Sequence, residues 1–183
     1  VKEWQVALPQ GDFLLQPINR KLNPGESLLI AGPSGCGKST LMRAFAGLWP
    51  FGKGQINVPQ GERVMFLPQR SYMPLGTLRE VLLYPRPPQG ITDDIIKQTM
   101  VLCKLEHLQD DLDRVDDWAR ILSLGEQQRI AFVRVLLQRP RWLFLDEATS
   151  AVDEPTERHL YTLLRERLPD CTVVSVGHRS TLH

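Results

Sequence analysis

The sequence has 183 residues, with 22 basic and 21 acidic side chains, a net charge of +1, and 42% hydrophobic residues. This charge balance argues against a protein whose main role is to wrap nucleic acid, and the composition excludes a disordered chain. There is no run of eighteen apolar residues that could span a membrane, and residues 1–4 do not resemble a signal peptide. Composition therefore predicts a soluble protein with a single core and leaves its function open.

The N-terminal part of the chain predicts short strands around one glycine-rich segment. The predicted strands cover residues 6–8, 13–15, 27–31, 54–58 and 63–67. The first two form a hairpin, because Gly11 and Asp12 between them favour a turn. A helix is predicted over residues 38–46, where apolar side chains recur at helical spacing.

The middle of the chain predicts a mainly helical insert over residues 70–122. Three prolines between Tyr84 and Gly90 exclude a helix or an inner strand there, and Thr92 or Asp93 can cap the helix that follows. The remaining predicted elements are helices over 127–138 and 154–168 and strands over 141–145 and 172–176. Strands that alternate with helices predict an α/β fold with a mostly parallel central sheet.

A phosphate-binding loop lies between the strand over 27–31 and the helix over 38–46. The pattern GxxxxGK[ST] is matched without a mismatch, and the predicted ATP-binding residues are Gly32, Pro33, Ser34, Gly35, Cys36, Gly37, Lys38, Ser39 and Thr40. Glycines let backbone amides turn towards an anion, and the start of the helix adds its positive dipole end. Lys38 would reach the β- and γ-phosphates, and the Ser39 hydroxyl would bind Mg²⁺.

Two adjacent acids follow the apolar strand over 141–145. Asp146 at the strand end can hold Mg²⁺, and Glu147 can act as the general base that polarises the attacking water. A strand that simply ends at a polar turn is the alternative interpretation.

The segment Leu122-Ser123-Leu124-Gly125-Glu126-Gln127-Gln128-Arg129 opens the helix upstream of that strand. On its own, this segment is explained as well by a capping box as by a functional motif. In a capping box, Ser123 caps the helix and Glu126 reaches back to the cap residue. With the other motifs, however, the sequence resembles the nucleotide-binding domain of ABC transporters over nearly its whole length. Leu122–Glu126 resembles the LSGGQ signature, with Ser123 and Gly125 matching it and Leu124 and Glu126 departing from it.

Three further motifs stand in the order that the family uses. Gln69 resembles the Q-loop glutamine, Asp153 lies in the D-loop-like segment Ser150–Asp153, and His178 resembles the switch histidine. The resemblance implies that Ser123, Leu124, Gly125 and Glu126 form the trans-acting signature, in which Ser123 and Gly125 bind the γ-phosphate. It also implies that Gln69, with Ser39 and Asp146, takes part in metal coordination. Glu147, His178, Lys38 and Gln69 are then the predicted catalytic residues, and ATP and Mg²⁺ the cofactors.

The family stacks adenine on an aromatic side chain upstream of the P-loop. Phe13 is the nearest candidate, Trp4 lies further back, and either residue could instead belong to the core. The resemblance implies a P-loop NTPase with an N-terminal antiparallel β subdomain and a small helical subdomain. The core would comprise about residues 1–69 and 123–183, the helical subdomain about 70–122, and the transmembrane domain would lie outside this chain.

The segments Gly47–Ile56 and Phe66–Glu80 resemble the sequences of subfamily D, the peroxisomal fatty acyl transporter type, and of its bacterial SbmA/BacA-like relatives. We expect an ATPase domain of a half-transporter on the cytoplasmic face of a membrane, more in keeping with the bacterial inner membrane than with the peroxisome. Its partners would be a second such domain, in a head-to-tail homodimer, and a transmembrane domain of the same polypeptide, without nucleic acid. The alternatives are a non-transport ABC-type ATPase of DNA repair or the ribosome, and a degenerate cassette that only binds ATP.

Overall fold

The computed structural model describes residues 1–14, 16–33, 35–57 and 61–177. The strands are β1 (Lys2–Val6), β2 (Ser27–Ile30), β3 (Gly52–Gln55), β4 (Val64–Leu67), β5 (Gly76–Thr77), β6 (Val115–Asp116), β7 (Trp142–Asp146) and β8 (Thr172–Val176). The helices are α1 (Lys38–Phe45), α2 (Leu78–Leu83), α3 (Asp93–Leu102), α4 (Trp118–Ile121), α5 (Leu124–Gln138) and α6 (Glu154–Arg167), with a 3₁₀ helix over Glu106–Asp111. None of these helices is long and apolar enough to cross a bilayer.

The central sheet has four parallel strands in the order β2-β8-β7-β4. The predicted α/β fold with a parallel sheet is therefore confirmed. Two antiparallel pairs accompany it, β1 with β3 and β5 with β6. Ile30, Val176 and Asp146 lie in one row of the sheet, so the carboxyl ends of β2, β8 and β7 meet at one edge. Ligands of open α/β proteins bind at such an edge.

Helix α5 lies at the centre of the largest apolar cluster. Its residues Ile130 and Val133 are fully buried, and the cluster extends to Leu143 of β7 and Leu160 of α6. The helical region contributes to the same cluster, for example with Leu82 of α2. A separate set of apolar residues packs α1 against the sheet, with Met42 fully buried beside β7 and β8.

Several element boundaries differ from those predicted. Helix α5 begins at Leu124 rather than at 127, because Ser123 and Glu126 form a complete capping box that starts the helix earlier. The expected hairpin reduces to an isolated bridge between Ala7 and Phe13, with a hydrogen bond from Leu8 N to Asp12 O (2.8 Å). Strand β1 lies just upstream of it and pairs with the distant β3, a contact that no local pattern predicts.

Candidate functional site

The P-loop connects β2 to α1 at the carboxyl edge of the sheet. Gly37 precedes α1 with φ 92°, a left-handed conformation that side-chain-bearing residues rarely adopt. A Cβ at Gly37 would also lie 3.1 Å from Leu14 Cδ1, so the N-terminal segment packs directly against the loop. The first turn of α1 carries no acidic residue, which leaves its N–H groups available to an anion.

Lys38 is the buried cation of this loop. Its Nζ donates to Gly32 O (2.8 Å) and Pro33 O (2.7 Å), so the ammonium group lies inside the loop rather than in solvent. Cys36 is exposed at the loop surface. Ser34, also predicted to bind ATP, lies outside the described residues.

Ser39 and Asp146 come from different elements and meet at the edge of the sheet. Ser39 Oγ in α1 donates to Asp146 Oδ1 at the end of β7 (3.1 Å). Burial raises the pKa of Asp146, and the nearby Glu147 charge acts in the same direction, against the Ser39 hydrogen bond. A hydroxyl oxygen and a carboxylate side by side are ligands that Mg²⁺ prefers, so the residues present fit this ion.

Glu147 has an unusual backbone conformation. Its φ is 51°, in the left-handed region that is costly for residues other than glycine, asparagine and aspartate. Two hydrogen bonds hold this conformation, from Glu147 N to Val176 O (3.1 Å) and from Ser150 N to Glu147 O (3.1 Å). Strained backbone of this kind concentrates at functional sites, which supports a functional role for Glu147.

A hydrogen-bonded network joins Gln69 to the segment after Glu147. Gln69 Nε2 donates to Ser150 Oγ (3.2 Å), and Gln128 Nε2 of α5 donates to Gln69 O (3.0 Å) and to Ser150 Oγ (3.0 Å). Ala151 N donates to Gln128 Oε1 (2.8 Å). Sequence reasoning missed Gln128, which is 2% exposed and connects the Q-loop-like residue to the D-loop-like segment.

The signature-like residues form the start of α5. Ser123 Oγ accepts from Glu126 N (3.2 Å), while Glu126 Oε2 accepts from Ser123 N (2.8 Å), so the capping box is present. Leu124 is half-buried beside it. A Cβ at Gly125 would lie 2.8 Å from Ala151 O, so only glycine fits against the D-loop-like segment. In the described part of the chain, no hydrogen bond or ion pair joins residues 123–126 to the P-loop.

The other predicted site residues have distinct environments. Asp153 caps α6 by accepting from Thr156 N (2.8 Å), and hydrogen bonds from Thr156 hold the pKa of its carboxyl below the usual range. Trp4 is buried in the core, whereas Phe13 is exposed, with Lys53 Nζ 5.4 Å from its ring centroid. Phe13 adjoins Leu14, which contacts the P-loop glycine. His178 lies outside the described residues.

These groups together can hold a polyphosphate and a divalent cation. Lys38 and the start of α1 supply positive charge and N–H donors, Ser39 and Asp146 supply oxygen ligands, and Glu147 follows directly after Asp146.

Comparison with known proteins agrees with this chemistry. A sequence profile described as ABC transporter matches residues 15–150, well over half of the chain. An ABC transporter ATP-binding protein of Haemophilus influenzae is 45% identical over 181 residues, which cover 99% of this chain and 30% of the relative. One from Synechocystis sp. is 48% identical over 173 residues, covering 93% of this chain and 26% of the relative.

A relative with a more specific name is ATP-binding cassette sub-family D member 3 of Homo sapiens. It is 37% identical over 185 residues, covering 97% of this chain and 28% of the relative. The chain thus spans less than a third of the length of these relatives. The chain belongs to the ABC transporter family and is an ATP-binding domain of that family.

Proposed function

We propose that this chain binds and hydrolyses Mg²⁺–ATP within a head-to-tail dimer and thereby powers transport by a half-transporter. The observation that carries the proposal is the contact between Ser39 Oγ and Asp146 Oδ1 at the start of α1, beside the buried Lys38. Bound there, Mg²⁺ would neutralise the charge that develops on the phosphates. ABC transporter ATP-binding domains are ATPases in general, and the acid pair retained here fits that activity.

Each P-loop residue has a defined role in this proposal. The Lys38 ammonium would bind the β- and γ-phosphates, and the backbone N–H groups of the predicted ATP-binding residues other than Pro33 would surround them. Ser39 and Asp146 hold the metal, together with Gln69. Phe13, exposed next to the loop, is the proposed adenine platform.

Glu147 is the proposed general base. Its carboxylate would accept the proton of the attacking water, and His178 would hydrogen-bond the γ-phosphate and orient that water. The strained backbone at Glu147 supports this assignment because local strain is tolerated where it aims a functional side chain.

The other half of each ATP site would come from a second copy of the chain. Ser123, Leu124, Gly125 and Glu126 of one copy would face the γ-phosphate held by the P-loop of the other, with Asp153 near the boundary. This arrangement is supported by the exposure of Ser123 at the N-terminal end of α5, where the helix dipole is positive. Because neither copy completes a site alone, ATP binding and dimer closure would be coupled.

We further propose that the core comprises about residues 1–69 and 123–183 and that residues 70–122 form the helical subdomain. Residues 70–80 are the proposed contact surface for a transmembrane domain in the same polypeptide. Tyr72 and Leu75 are 64% and 78% exposed, which supports a docking role. In the same segment, Arg79 forms ion pairs with Asp93 and Asp113 and so stabilises the subdomain itself.

The membrane is proposed to be the bacterial inner membrane, with this domain on its cytoplasmic face. The bacterial relatives at 45% and 48% identity support that choice over the peroxisome. The transported substrate would be recognised by the transmembrane domain.

The substitution Glu147→Gln tests this function. An amide of the same shape still accepts a hydrogen bond but cannot take a proton from water, so we expect an ATP-stabilised dimer without turnover. Light scattering with Mg²⁺–ATP and a phosphate-release assay measure the two properties. Glu154→Gln, an exposed carboxylate in α6, is the matched control and should leave both unchanged. A Glu147→Gln chain that stays monomeric at high protein and ATP concentration would contradict the head-to-tail mechanism.

A further inference from the structure

A histidine extends the capping box at the start of α5 into a chain of three side chains. His107 Nε2 of the 3₁₀ helix lies 2.8 Å from Glu126 Oε1. The second carboxylate oxygen, Glu126 Oε2, accepts from Ser123 N (2.8 Å) and from Ser123 Oγ (2.8 Å). Each carboxylate oxygen of Glu126 therefore has a hydrogen-bond partner, His107 for Oε1 and Ser123 for Oε2.

The cap itself does not require His107. A capping box needs only a serine and a glutamate three residues apart, and His107 comes from a segment 19 residues earlier than Glu126. Its position is well defined because the flanking residues Leu105 and Leu108 are buried in the core. The fold thus presents a half-exposed imidazole to the carboxylate.

Glu126 conflicts with the proposed role of Ser123. The serine hydroxyl has one proton, which it donates to Glu126 Oε2, while its oxygen accepts from Glu126 N. A γ-phosphate presented by a partner copy would compete with Glu126 for that proton. The carboxylate would also repel the phosphate, since both carry negative charge.

Most of the other charged groups of this region have their own partners. Arg129 Nη1 of α5 donates to Lys104 O (2.5 Å), and Lys104 Nζ donates to Thr156 Oγ1 (3.0 Å). On the 3₁₀ helix, Asp110 Oδ1 lies 3.8 Å from Lys97 Nζ. Asp111 Oδ1 lies 3.8 Å from Arg114 Nη1, and Glu106 is exposed.

Among the described residues, His107 is the ionisable side chain that acts on the Glu126 carboxyl. Burial alone would raise the pKa of Glu126, but hydrogen bonds from Ser123 and His107 outweigh it and lower that pKa.

We propose that His107 is a positioning residue for the nucleotide sandwich: it holds the Glu126 carboxylate beside Ser123 and, when protonated, offsets its negative charge so that the signature accepts the partner's γ-phosphate. This inference rests on the proposed head-to-tail dimer. Histidine is the side chain whose charge changes within the physiological pH range. Closure is therefore favoured when the imidazole is protonated and weakened when it is neutral.

The test measures ATP-driven dimerisation of the chain in the Glu147→Gln background between about pH 8 and about pH 6. A solvent-exposed charge pair is worth up to about 1 kcal/mol, so protonation of His107 should lower the ATP concentration at half-maximal dimer by up to about fivefold. His107→Gln should match wild type at the alkaline end of the range and need up to about fivefold more ATP than wild type at the acidic end. Glu126→Gln should dimerise at the lower ATP concentration at both ends of the pH range, because it removes the negative charge and keeps an acceptor for the Ser123 hydroxyl.

The combined substitution separates positioning from a general structural effect. If His107 acts through Glu126, His107→Gln should change nothing further once Glu126→Gln is present. His159→Gln, whose imidazole contacts Leu102 O instead, is the matched control and should retain the wild-type profile. The γ-phosphate titrates near the same pH, so each variant is compared with wild type at each pH rather than across pH.

The possible outcomes distinguish the two proposals. Absence of an ATP-dependent dimer at every pH would overturn the head-to-tail mechanism and the inference with it. A dimer whose pH profile survives His107→Gln, or in which His107→Gln still acts beside Glu126→Gln, would overturn the role of His107 alone. Thermal unfolding of each variant confirms that the chains compared are folded.

Discussion

The three cysteines differ in their exposure to solvent. Cys36 is exposed in the P-loop, and a Cβ at Gly32 would lie 2.9 Å from its Sγ, so the thiol lies against the loop backbone. Burial raises the pKa of Cys103 to about 12 and that of Cys171 to about 11, which keeps both as unreactive thiols at neutral pH. A thiol reagent should therefore modify Cys36 selectively.

We predict that a bulky maleimide on Cys36 blocks nucleotide binding, because the added group would occupy the space that the loop backbone needs around a phosphate. Mass spectrometry confirms the modification, and fluorescence titration with a labelled ATP analogue measures affinity. Cys36→Ala should bind nucleotide normally and be insensitive to the reagent. Unchanged affinity after complete modification would show that Cys36 points away from the ligand.

Residues in compact motifs were predictable, and those recruited by tertiary contacts were not. Lys38, Ser39, Asp146 and Glu147 could be identified because their roles depend on neighbours within a few positions. Gln128 could not, because a glutamine in a helix is usually on the surface and only the packing of α5 buries it.

At the scale of elements, Arg134 connects α5 to the helical region. Its Nε donates to Val81 O (2.7 Å), its Nη1 donates to Tyr72 O (2.8 Å), and its guanidinium lies over the Tyr84 ring. Burial lowers the pKa of Arg134 to about 10, so the side chain is still charged at neutral pH. One buried cation thus anchors both α2 and the proposed transmembrane-contact surface.

We predict that Arg134→Met destabilises the chain by roughly 2–4 kcal/mol, because the carbonyl groups of Val81 and Tyr72 lose the donors that a buried side chain supplies. The free energy of unfolding from urea denaturation is the measurement. Arg165→Met, an exposed arginine of α6, should change it by less than about 0.5 kcal/mol. Equal effects of the two substitutions would show that Arg134 is not a structural anchor.

Element types were more predictable than element partners. The predicted strand over 172–176 and helix over 154–168 agree with β8 and α6 to within one residue, because apolar runs and charged helical faces are local signals. The sequence did not predict the pairing of β1 with β3. The partner of a strand depends on where the chain turns back towards it and not only on the strand's own residues.

For the whole molecule, the proposed dimer predicts complementation between two inactive chains. Lys38→Ala removes the phosphate-binding cation, and Ser123→Asp keeps a good helix cap but places a negative charge opposite the partner's phosphate. Each variant alone should lack ATPase activity. When equal amounts of the two variants associate at random, about half of the dimers contain one chain of each kind. Each of these dimers has one intact ATP site out of two, so about a quarter of all sites should regain activity.

Phosphate release from the mixture, at constant total protein, measures this recovery. Ser123→Thr is the control, because it retains both a hydroxyl and a cap and should remain active alone. No recovery in a mixture whose chains still associate would argue that each ATP is handled by residues of one chain.

By itself, the sequence determined the phosphate loop, the acid pair, the alternation of strands and helices, and the family. These features reside in short spans whose geometry follows from glycine freedom, helix capping and side-chain periodicity. Only the tertiary structure decided that Ser39 meets Asp146, that Gln128 joins the loops after β4 and β7, and that His107 reaches Glu126. Each of these contacts joins residues far apart in the chain, and local pattern does not specify which distant group a side chain will meet once strand register and helix packing are set.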